Sequence, residues 1–319
     1  MSKPTNLNII MYHYVRDTTQ SPYPGIHALC VSQFTEQLDY LQSTHAIISP
    51  DDLIGAVRDG ENMPDDAVLL TFDDGYVDHV ATVLPVLADR GLKGAFFPAA
   101  SPLVDGRMID ANKIQFIRAA IGDDRLEAEV WSLISRDRER FSLPGEAALR
   151  EDWSQKGRLD SNSVRLVKNL LQKGLPRVAR QSFIDELFAN HVTADEGAFI
   201  AELYATREQL IALIEGGHHV GNHGHAHEWL DRMDAKDAAS DISKGRDFIQ
   251  SLGVAEDAWI MCYPYGGYTP ETAALAAQAG AVAGFLVEFN VARIGKDDPL
   301  MLPRLDTNQF PPIAPAQIN

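Results

Sequence analysis

A short apolar run that ends in two adjacent aspartates is the sequence feature that most constrains how this chain can fold. The run Ala67–Leu70 is followed by Thr71-Phe72-Asp73-Asp74-Gly75 and has the length of one buried strand. Two neighbouring carboxylates at a strand end cannot both ionise cheaply in a closed site unless a positive charge lies nearby. A divalent metal ion would supply that charge. One aspartate could then bind the metal while the other faces the opposite way and acts as a base.

Apolar runs of strand length alternate with helical patterns along much of the chain. This alternation predicts an α/β fold with a largely parallel sheet, which we expect to be closed as a distorted (β/α) barrel. Thr206-Arg207-Glu208-Gln209 has the form of a capping box and predicts one helix start. The runs that we interpret as strands are 7–11, 68–72, 94–97, 219–222, 259–263, 282–287 and 300–302.

Between about residues 101 and 203 the strand pattern is absent and the apolar spacing is helical. We interpret this segment as a mostly helical insertion into a single domain that covers residues 1–319. Because it follows a barrel strand, it could wall off an open groove into a pocket. It could instead build the interface of a homo-oligomer.

Residue types suited to catalysis follow several of the predicted strands. In barrel enzymes such residues gather at the carboxyl ends of the strands. The segment Gly221–His227 holds the richest histidine cluster of the chain, and one aspartate with two histidines would make a three-ligand metal site. The residues at five strand ends are Tyr12 and His13, Asp73 and Asp74, His223 and His227, Pro264 and Tyr265, and Arg304.

The net charge limits the classes of binding partner, and the cysteine content indicates the cellular compartment. The net charge of -17 argues against a nucleic acid or an anionic membrane as a general partner. The first residues lack the pattern of a signal peptide, and no apolar stretch has the length of a transmembrane segment. Cys30 and Cys262 are isolated in the sequence, with no Cys-x-x-Cys spacing, so we expect both to be reduced thiols. We therefore expect a cytoplasmic protein.

Four segments resemble motifs of the NodB-type polysaccharide deacetylases, carbohydrate esterase family 4. Residues 71–76 with 84–87 and 94–97 resemble the first family motif, and 223–227 resembles its His-x-x-x-His motif. The start of the chain, 11–15 with 31–38, is similar to the rearranged subgroup that includes the poly-N-acetylglucosamine deacetylases. Tyr263-Pro264-Tyr265-Gly266 resembles the substrate-groove motif, and the substrate contacts that the resemblance implies are Tyr263, Pro264, Tyr265 and Tyr76.

The resemblance implies a divalent metal ion bound by Asp74, His223 and His227. Aspartate and histidine suit a borderline metal such as zinc, and also nickel or cobalt. The metal would lower the pKa of a bound water and polarise an amide carbonyl.

The resemblance also implies the catalytic roles. Asp73 would be the general base, and Arg304 could orient it and keep it ionised. His13 holds the position of the general acid in the rearranged subgroup. The backbone N–H of Tyr265 could help to hold the oxyanion.

The sequence departs from the family pattern at three places. Gly224 stands where Ser or Thr usually follows the first metal histidine, and Cys262 replaces an arginine common before the Pro-Tyr motif. A C-terminal Leu-x-x-His motif is absent, which leaves the acid role to His13 or to no residue. The alternative for His13 is a packed histidine at a strand end.

The function expected from these features is hydrolysis of the acyl amide of an amino sugar. Inside the cell the substrate would be a nucleotide- or lipid-linked precursor of a surface polysaccharide, or a short glycan. One alternative is an amidase of the same fold that acts on small linear or cyclic amides. A second is a catalytically silent binding protein, which need not keep stoichiometric metal. The chain contains neither a Gly-x-Ser-x-Gly elbow nor a phosphate-binding loop sequence.

Overall fold

The computed structural model describes residues 4–19, 21–153 and 162–313. These residues form two compact units. The first unit takes in the described residues up to Asp17, Ala28–Arg107 and the described residues from Ile200 onward. The second contains Thr18–His27 and Met108–Phe199. Residues 154–161 of the predicted insertion lie outside the described part, and the single-domain assignment stays a prediction.

All the strands of the described chain lie in the first unit. They are β1 Thr5–Tyr12, β2 Ala67–Asp73, β3 Ala95–Phe97, β4 His219–Val220, β5 Trp259–Cys262, β6 Ala281–Phe285, β7 Ala292–Ile294 and β8 Leu305–Asp306. The larger sheet has the order β4-β3-β2-β1-β7, with β8 paired to β1. Only β7 is antiparallel to its neighbour there.

The parallel register brings the carboxyl ends of the strands to one edge. Tyr12, the last residue of β1, pairs with Phe72 of β2, and Asp73 pairs with Phe97 of β3. His13, Asp73 and Asp74 therefore leave the sheet at the same edge. Two strands, β5 and β6, form a separate parallel sheet.

Single bridges link the two sheets within the described residues. Asn222, beyond β4, pairs with Met261 of β5, and Phe285 of β6 pairs with Leu302 ahead of β8. Continuous ladders do not close the barrel in the described part of the chain, so the expected distorted α/β barrel is held together by these bridges.

The helices alternate with the strands in the first unit and fill most of the second. The α-helices are α1 Val31–Thr44, α2 Pro50–Arg58, α3 Leu84–Asp89, α4 Ser101–Val104, α5 Asp110–Ile121, α6 Asp123–Arg136, α7 Glu146–Trp153, α8 Asn162–Asn169, α9 Arg177–His191, α10 Glu196–Leu203, α11 Arg207–Glu215, α12 Ala235–Gln250 and α13 Pro270–Gln278. The predicted capping box opens α11, where the Thr206 hydroxyl accepts a hydrogen bond from the N–H of Gln209. None of the described helices is long and apolar enough to cross a membrane.

Alternate residues of β2 enter two different apolar clusters. All residues of this strand are buried, as expected for a central parallel strand covered on both faces. Val68, Leu70 and Phe72 pack with helical residues such as Leu38 and Ile249. The second cluster contains Ala67, Leu69, Ile9, Phe97, Ile260 and Phe285. This packing fixes the strand ends from which the site is built.

The strand predicted at residues 300–302 is wrong. Pro299–Met301 forms a 3₁₀ turn instead, because the Asp298 carboxylate accepts a hydrogen bond from the N–H of Leu300 and Pro299 suits the first helical position. Leu302 alone makes a strand-like bridge.

The second unit has its own core. Phe116 and Phe188 pack edge-on against Phe199. The fully buried Lys113 ammonium lies 2.7 Å from Asp185 and 2.8 Å from Glu196. A buried lysine is tolerated because two carboxylates compensate its charge.

Candidate active site

The two adjacent aspartates send their carboxylates to different partners. Asp73 is the last residue of β2, and Asp74 has a left-handed backbone with φ of 73°. Gly75, at φ 71°, lets the turn pass close to Pro98, since a Cβ at Gly75 would lie 2.6 Å from the Pro98 Cβ. The left-handed turn and the alternation of strand side chains separate the two carboxyl groups.

Asp74 lies against His223 and His227. Its Oδ1 is 3.5 Å from the Nε2 of His223 and 3.4 Å from the Nε2 of His227. All three side chains are buried, and their candidate ligand atoms lie within 4.8 Å of one another. Metal–ligand bonds of roughly 2.0–2.2 Å in a tetrahedral site place ligand atoms about 3.3–3.5 Å apart. The two distances from Asp74 to the histidines therefore fit a divalent metal ion held by the three residues that the resemblance implied as ligands.

Hydrogen bonding and protonation of these residues also suit a metal ion. The Nδ1 of His223 lies 2.7 Å from the carbonyl oxygen of Cys262, so Nδ1 donates there and Nε2 keeps its lone pair. Burial lowers the pKa of His227 to about 3 and keeps that ring neutral. Burial alone would raise the pKa of Asp74, but contact with His223 and the neighbouring histidines lowers it well below its usual value. Burial alone would lower the pKa of His223, but the contacts of its ring with Cys262 and Asp74 raise that pKa well above its usual value. Because metals bind ionised carboxylates and neutral imidazoles, metal binding would release a proton from His223.

The segment between the two histidines is a loop that a helix supports from behind. The amide oxygen of Asn222 accepts a hydrogen bond from the N–H of Gly224 at 2.9 Å. The carboxylate of Asp241, on α12, accepts hydrogen bonds from the N–H groups of His225 at 2.8 Å and Ala226 at 3.0 Å. Sequence reasoning missed Asp241, although a buried acid on the apolar face of a helix is an unusual signal.

Arg304 binds both carboxylate oxygens of Asp73. Its two terminal nitrogens lie 2.8 Å and 2.7 Å from the two carboxylate oxygens, and both side chains are almost fully buried. Burial alone would raise the pKa of Asp73, but the Arg304 charge outweighs it and lowers the pKa below its usual value. Asp73 is therefore ionised. Cys262 lies beside this pair, with its Sγ 3.5 Å from the Oδ1 of Asp73.

His13 follows β1 directly, at the same edge of the sheet. Its carbonyl oxygen lies 3.0 Å from the Nε2 of the buried His79, which anchors the backbone of the strand end. Its side chain is half-buried and acts electrostatically on Asp73, Asp74 and His227. The structure therefore places His13 within the same cluster, and its role as general acid stays a prediction.

Tyr76 contacts the predicted metal ligand. Its side chain is fully buried, and its hydroxyl donates a hydrogen bond to the Oδ2 of Asp74. Tyr14 stacks on it with ring centroids 3.9 Å apart, and Tyr204 stacks at 6.2 Å. This position orients Asp74, while the contact of Tyr76 with a substrate stays a prediction.

The Tyr-Pro-Tyr motif divides into a buried and an accessible part. Tyr263 and Pro264 are buried, whereas Tyr265 is half-buried with a left-handed φ of 58°. The Tyr265 ring packs against His227 at 4.6 Å and stacks on Trp229 at 4.7 Å with an interplanar angle of 3°. Sequence reasoning missed Trp229, which follows the second predicted metal histidine by two residues.

Left-handed backbone geometry recurs at three predicted site residues. Asp74, His227 and Tyr265 all have positive φ although none is glycine. Such conformations cost on the order of 1 kcal/mol or more each and are concentrated at functional sites. The packing around these residues therefore holds the backbone in place against strain.

Acid–base residues gathered at the strand ends of a distorted α/β barrel are the arrangement typical of barrel enzymes. A family model described as polysaccharide deacetylase matches residues 60–122 and 183–284, more than half of the chain. The chain belongs to the polysaccharide deacetylase family, and the resemblance stated from its motifs is confirmed.

Solved structures share the fold across nearly the whole chain. The Streptococcus pyogenes deacetylase PplD, in complex with acetate, is 15% identical with a TM-score of 0.60 and covers 98% of this chain and 96% of its own. IcaB from Ammonifex degensii is 18% identical with a TM-score of 0.55, covering 95% and 92%. A de-N-acetylase from Aggregatibacter actinomycetemcomitans is 15% identical with a TM-score of 0.50, covering 94% of each chain. No curated protein sequence matches the chain.

These likenesses confirm the α/β fold of the NodB type. The likeness to IcaB also agrees with the rearranged subgroup expected from the start of the chain. At sequence identities of 15% to 18%, these likenesses show the fold alone. The roles of the individual site residues stay predictions that rest on the geometry described above.

Proposed function

We propose that this protein is a divalent-metal-dependent hydrolase that removes the acetyl group from the amide nitrogen of an amino sugar. The observation that carries the proposal is the placement of Asp74 at 3.5 Å and 3.4 Å from two histidine Nε2 atoms. Beside it lies a second, ionised aspartate clamped by Arg304. Family membership supplies the deacetylase chemistry.

Asp74, His223 and His227 would hold the metal, with zinc favoured by the mixed oxygen and nitrogen donors. When bound, such an ion polarises the substrate carbonyl and lowers the pKa of a water molecule. The remaining chemistry belongs to this chain's own residues.

Asp73 would accept a proton from the attacking water, because its carboxylate is ionised and each oxygen keeps a lone pair beyond its bond to Arg304. The backbone N–H of Tyr265 would stabilise the negative charge that develops on the carbonyl oxygen of the acyl group. His13 would donate a proton to the amide nitrogen as the C–N bond breaks. The products are acetate and a free amino sugar.

Two observations support an N-acetylated sugar as substrate. One structural neighbour is described in complex with acetate, the acid that deacetylation releases, and another is described as a de-N-acetylase. The stacked pair of Trp229 and Tyr265 lies next to His227, where a sugar ring could pack its apolar face.

We place the reaction in the cytoplasm, on a nucleotide- or lipid-linked precursor of a surface polysaccharide or on a short glycan. Both cysteines are free, as a reducing compartment permits. A finished extracellular polymer is not accessible from there.

The experiment is a screen for acetate and amine release by the zinc-loaded protein. It spans N-acetylated sugar nucleotides, lipid-linked sugars, chito-oligomers, long chitin-type polymers and small cyclic amides, with Asp73→Asn as the control for contaminating activity. Release from a sugar nucleotide, a lipid-linked sugar or a short oligomer supports the proposal. Release only from long polymers rejects the short substrate, and release only from cyclic amides assigns the protein as an amidase.

A further inference from the structure

The loop that carries both predicted metal histidines has little side-chain support of its own. Gly224 follows His223 with φ of 73° and has no side chain to brace the turn. His227 is itself left-handed, with φ of 53°. The loop between them is irregular, so an external partner must hold its backbone for the two rings to face Asp74.

The N–H groups of Ala100 and Ser101 donate hydrogen bonds to the carbonyl oxygens of Gly224 and His225, at 3.2 Å and 2.8 Å. The partner that holds the N–H groups of the loop is the carboxylate of Asp241 on α12. It accepts hydrogen bonds from the N–H groups of His225 and Ala226, at 2.8 Å and 3.0 Å, through its two different oxygens. Both donors lie between the two histidine ligands. Asp241 is 5% exposed, so water competes little for these hydrogen bonds.

Two glycines make room for this contact. A Cβ at Gly224 would lie 2.6 Å from the Oδ1 of Asp241, and a Cβ at Gly245 would lie 2.1 Å from the Oδ1 of Asn222. The same Cβ at Gly245 would lie 3.0 Å from the carbonyl carbon of Gly224. Helix α12 therefore approaches the loop as closely as backbone allows, and glycine is required on both sides of the contact.

We propose that Asp241 is a positioning residue that orders the histidine loop before the metal binds. This inference rests on the proposed metal-dependent function. Its carboxylate touches neither ligand ring and acts through the backbone N–H groups between the ligands. A carboxylate is suited to this role because both of its oxygens accept, whereas the amide of asparagine has one acceptor and turns its NH₂ group toward one N–H donor.

The test compares zinc affinity in wild type, Asp241→Asn and Asp247→Asn. Asp247 lies on the same helix, is exposed and, within the described part of the chain, pairs with its neighbour Arg246, so its variant makes the same chemical change outside the contact. Affinity is measured by competition with a chromophoric zinc chelator, and the thermal midpoint of each zinc-free protein is recorded. We expect Asp241→Asn to bind zinc about 10–100-fold more weakly, and Asp247→Asn to match wild type.

A residue that only stabilises the fold would lower the thermal midpoint and leave the zinc affinity of the folded protein unchanged; that result overturns the inference. Turnover of Asp241→Asn should recover at saturating zinc, because the ligands themselves are intact. A wild-type protein that binds no zinc would instead refute the proposed function, so the two failures are distinguishable.

A second measurement needs no variant and decides the matter if Asp241→Asn does not fold. Amide hydrogen exchange of the zinc-free wild-type protein should show protected N–H groups at His225 and Ala226. Exchange there as fast as in an exposed loop would contradict an ordered loop and overturn the inference.

Discussion

Two chemically identical neighbours, Asp73 and Asp74, have different environments in this site. Arg304 occupies both oxygens of Asp73, whereas Asp74 faces two imidazoles on one oxygen and the Tyr76 hydroxyl on the other. The left-handed backbone of Asp74 separates the two carboxylates. The different roles that we propose for them, base and ligand, therefore come from the fold and not from residue type.

Replacement of Asp73 should separate binding from chemistry. Asp73→Asn removes the proton acceptor but leaves the three ligands, so the protein should keep its metal and lose on the order of a hundredfold or more in turnover. Metal content and acetate release are measured on the same sample. Near-wild-type turnover with metal present would assign the base to another residue.

Loss of the Tyr76 hydroxyl should weaken metal binding. Tyr76→Phe removes the hydrogen bond that orients Asp74, and such changes lower metal affinity by roughly tenfold. Competition with a zinc chelator measures the change, and Tyr40→Phe on α1 is the matched control. An unchanged zinc affinity in Tyr76→Phe would show that Asp74 needs no such support.

The acid role of His13 can be tested through the leaving group. His13→Ala should keep its metal and lose turnover on an N-acetyl amide, whose amine must leave protonated. The loss should be much smaller on an activated aryl acetate ester, since a phenolate leaves without a proton. Equal losses on both substrates would indicate a packing or binding role.

At the scale of elements, the buried parallel strands were predictable and the loops between them were not. The apolar runs at β1 and β2 are recognisable because both faces of these strands are covered. β7 was missed because its three residues include an exposed Arg293. The contact of Asp241 with the histidine loop joins residues 15 and 16 positions apart through a turn, and no local pattern encodes it.

The predicted strand ends also indicated which residue types lie together in the site, but not which contacts orient each side chain. His13, Asp73, Asp74, His223 and His227 share one site because parallel strands deliver their ends to one edge. Arg304 instead lies just ahead of β8 and reaches Asp73 from there. The Tyr76 hydroxyl could not be placed from sequence, because its direction depends on the left-handed turn at Asp74.

His219, the first residue of β4, should make the protein less stable in acid. Burial lowers the pKa of His219 to about 4, and its Nε2 accepts a hydrogen bond from the N–H of Ile260 at 3.3 Å. The unfolded chain has a histidine pKa near 6.5, so it binds the proton more readily than the fold does. The contribution of the neutral His219 ring to the free energy of unfolding is complete above about pH 6.5, and it is lost as the pH falls toward 4.

At pH 5 the expected loss from His219 is about 2 kcal/mol relative to pH 7.5. Urea unfolding at the two pH values measures it, with His219→Gln as the variant that keeps an acceptor and cannot gain the proton. The variant should lose about 2 kcal/mol less than wild type over this range. The same pH dependence in both proteins would exclude His219 as the titrating group.

At the scale of the whole molecule, family membership and fold likeness agree with the local geometry. The family model matches residues on both sides of the segment 123–182, and the site residues from Asp73 to Tyr265 lie within the matched ranges. His13 and Arg304 lie outside them. The places of His13 and Arg304 in the site therefore rest on the structure and not on the family model.

The most direct test of the central claim is the metal content of the purified protein. We expect about one equivalent of divalent metal per chain by elemental analysis, after purification without chelator. His227→Ala removes one of the three ligands and should lose most of that metal, while His225→Ala, which removes a ring paired with Asp105, should keep it. Unchanged metal content in His227→Ala, or no metal in the wild-type protein, would contradict the account.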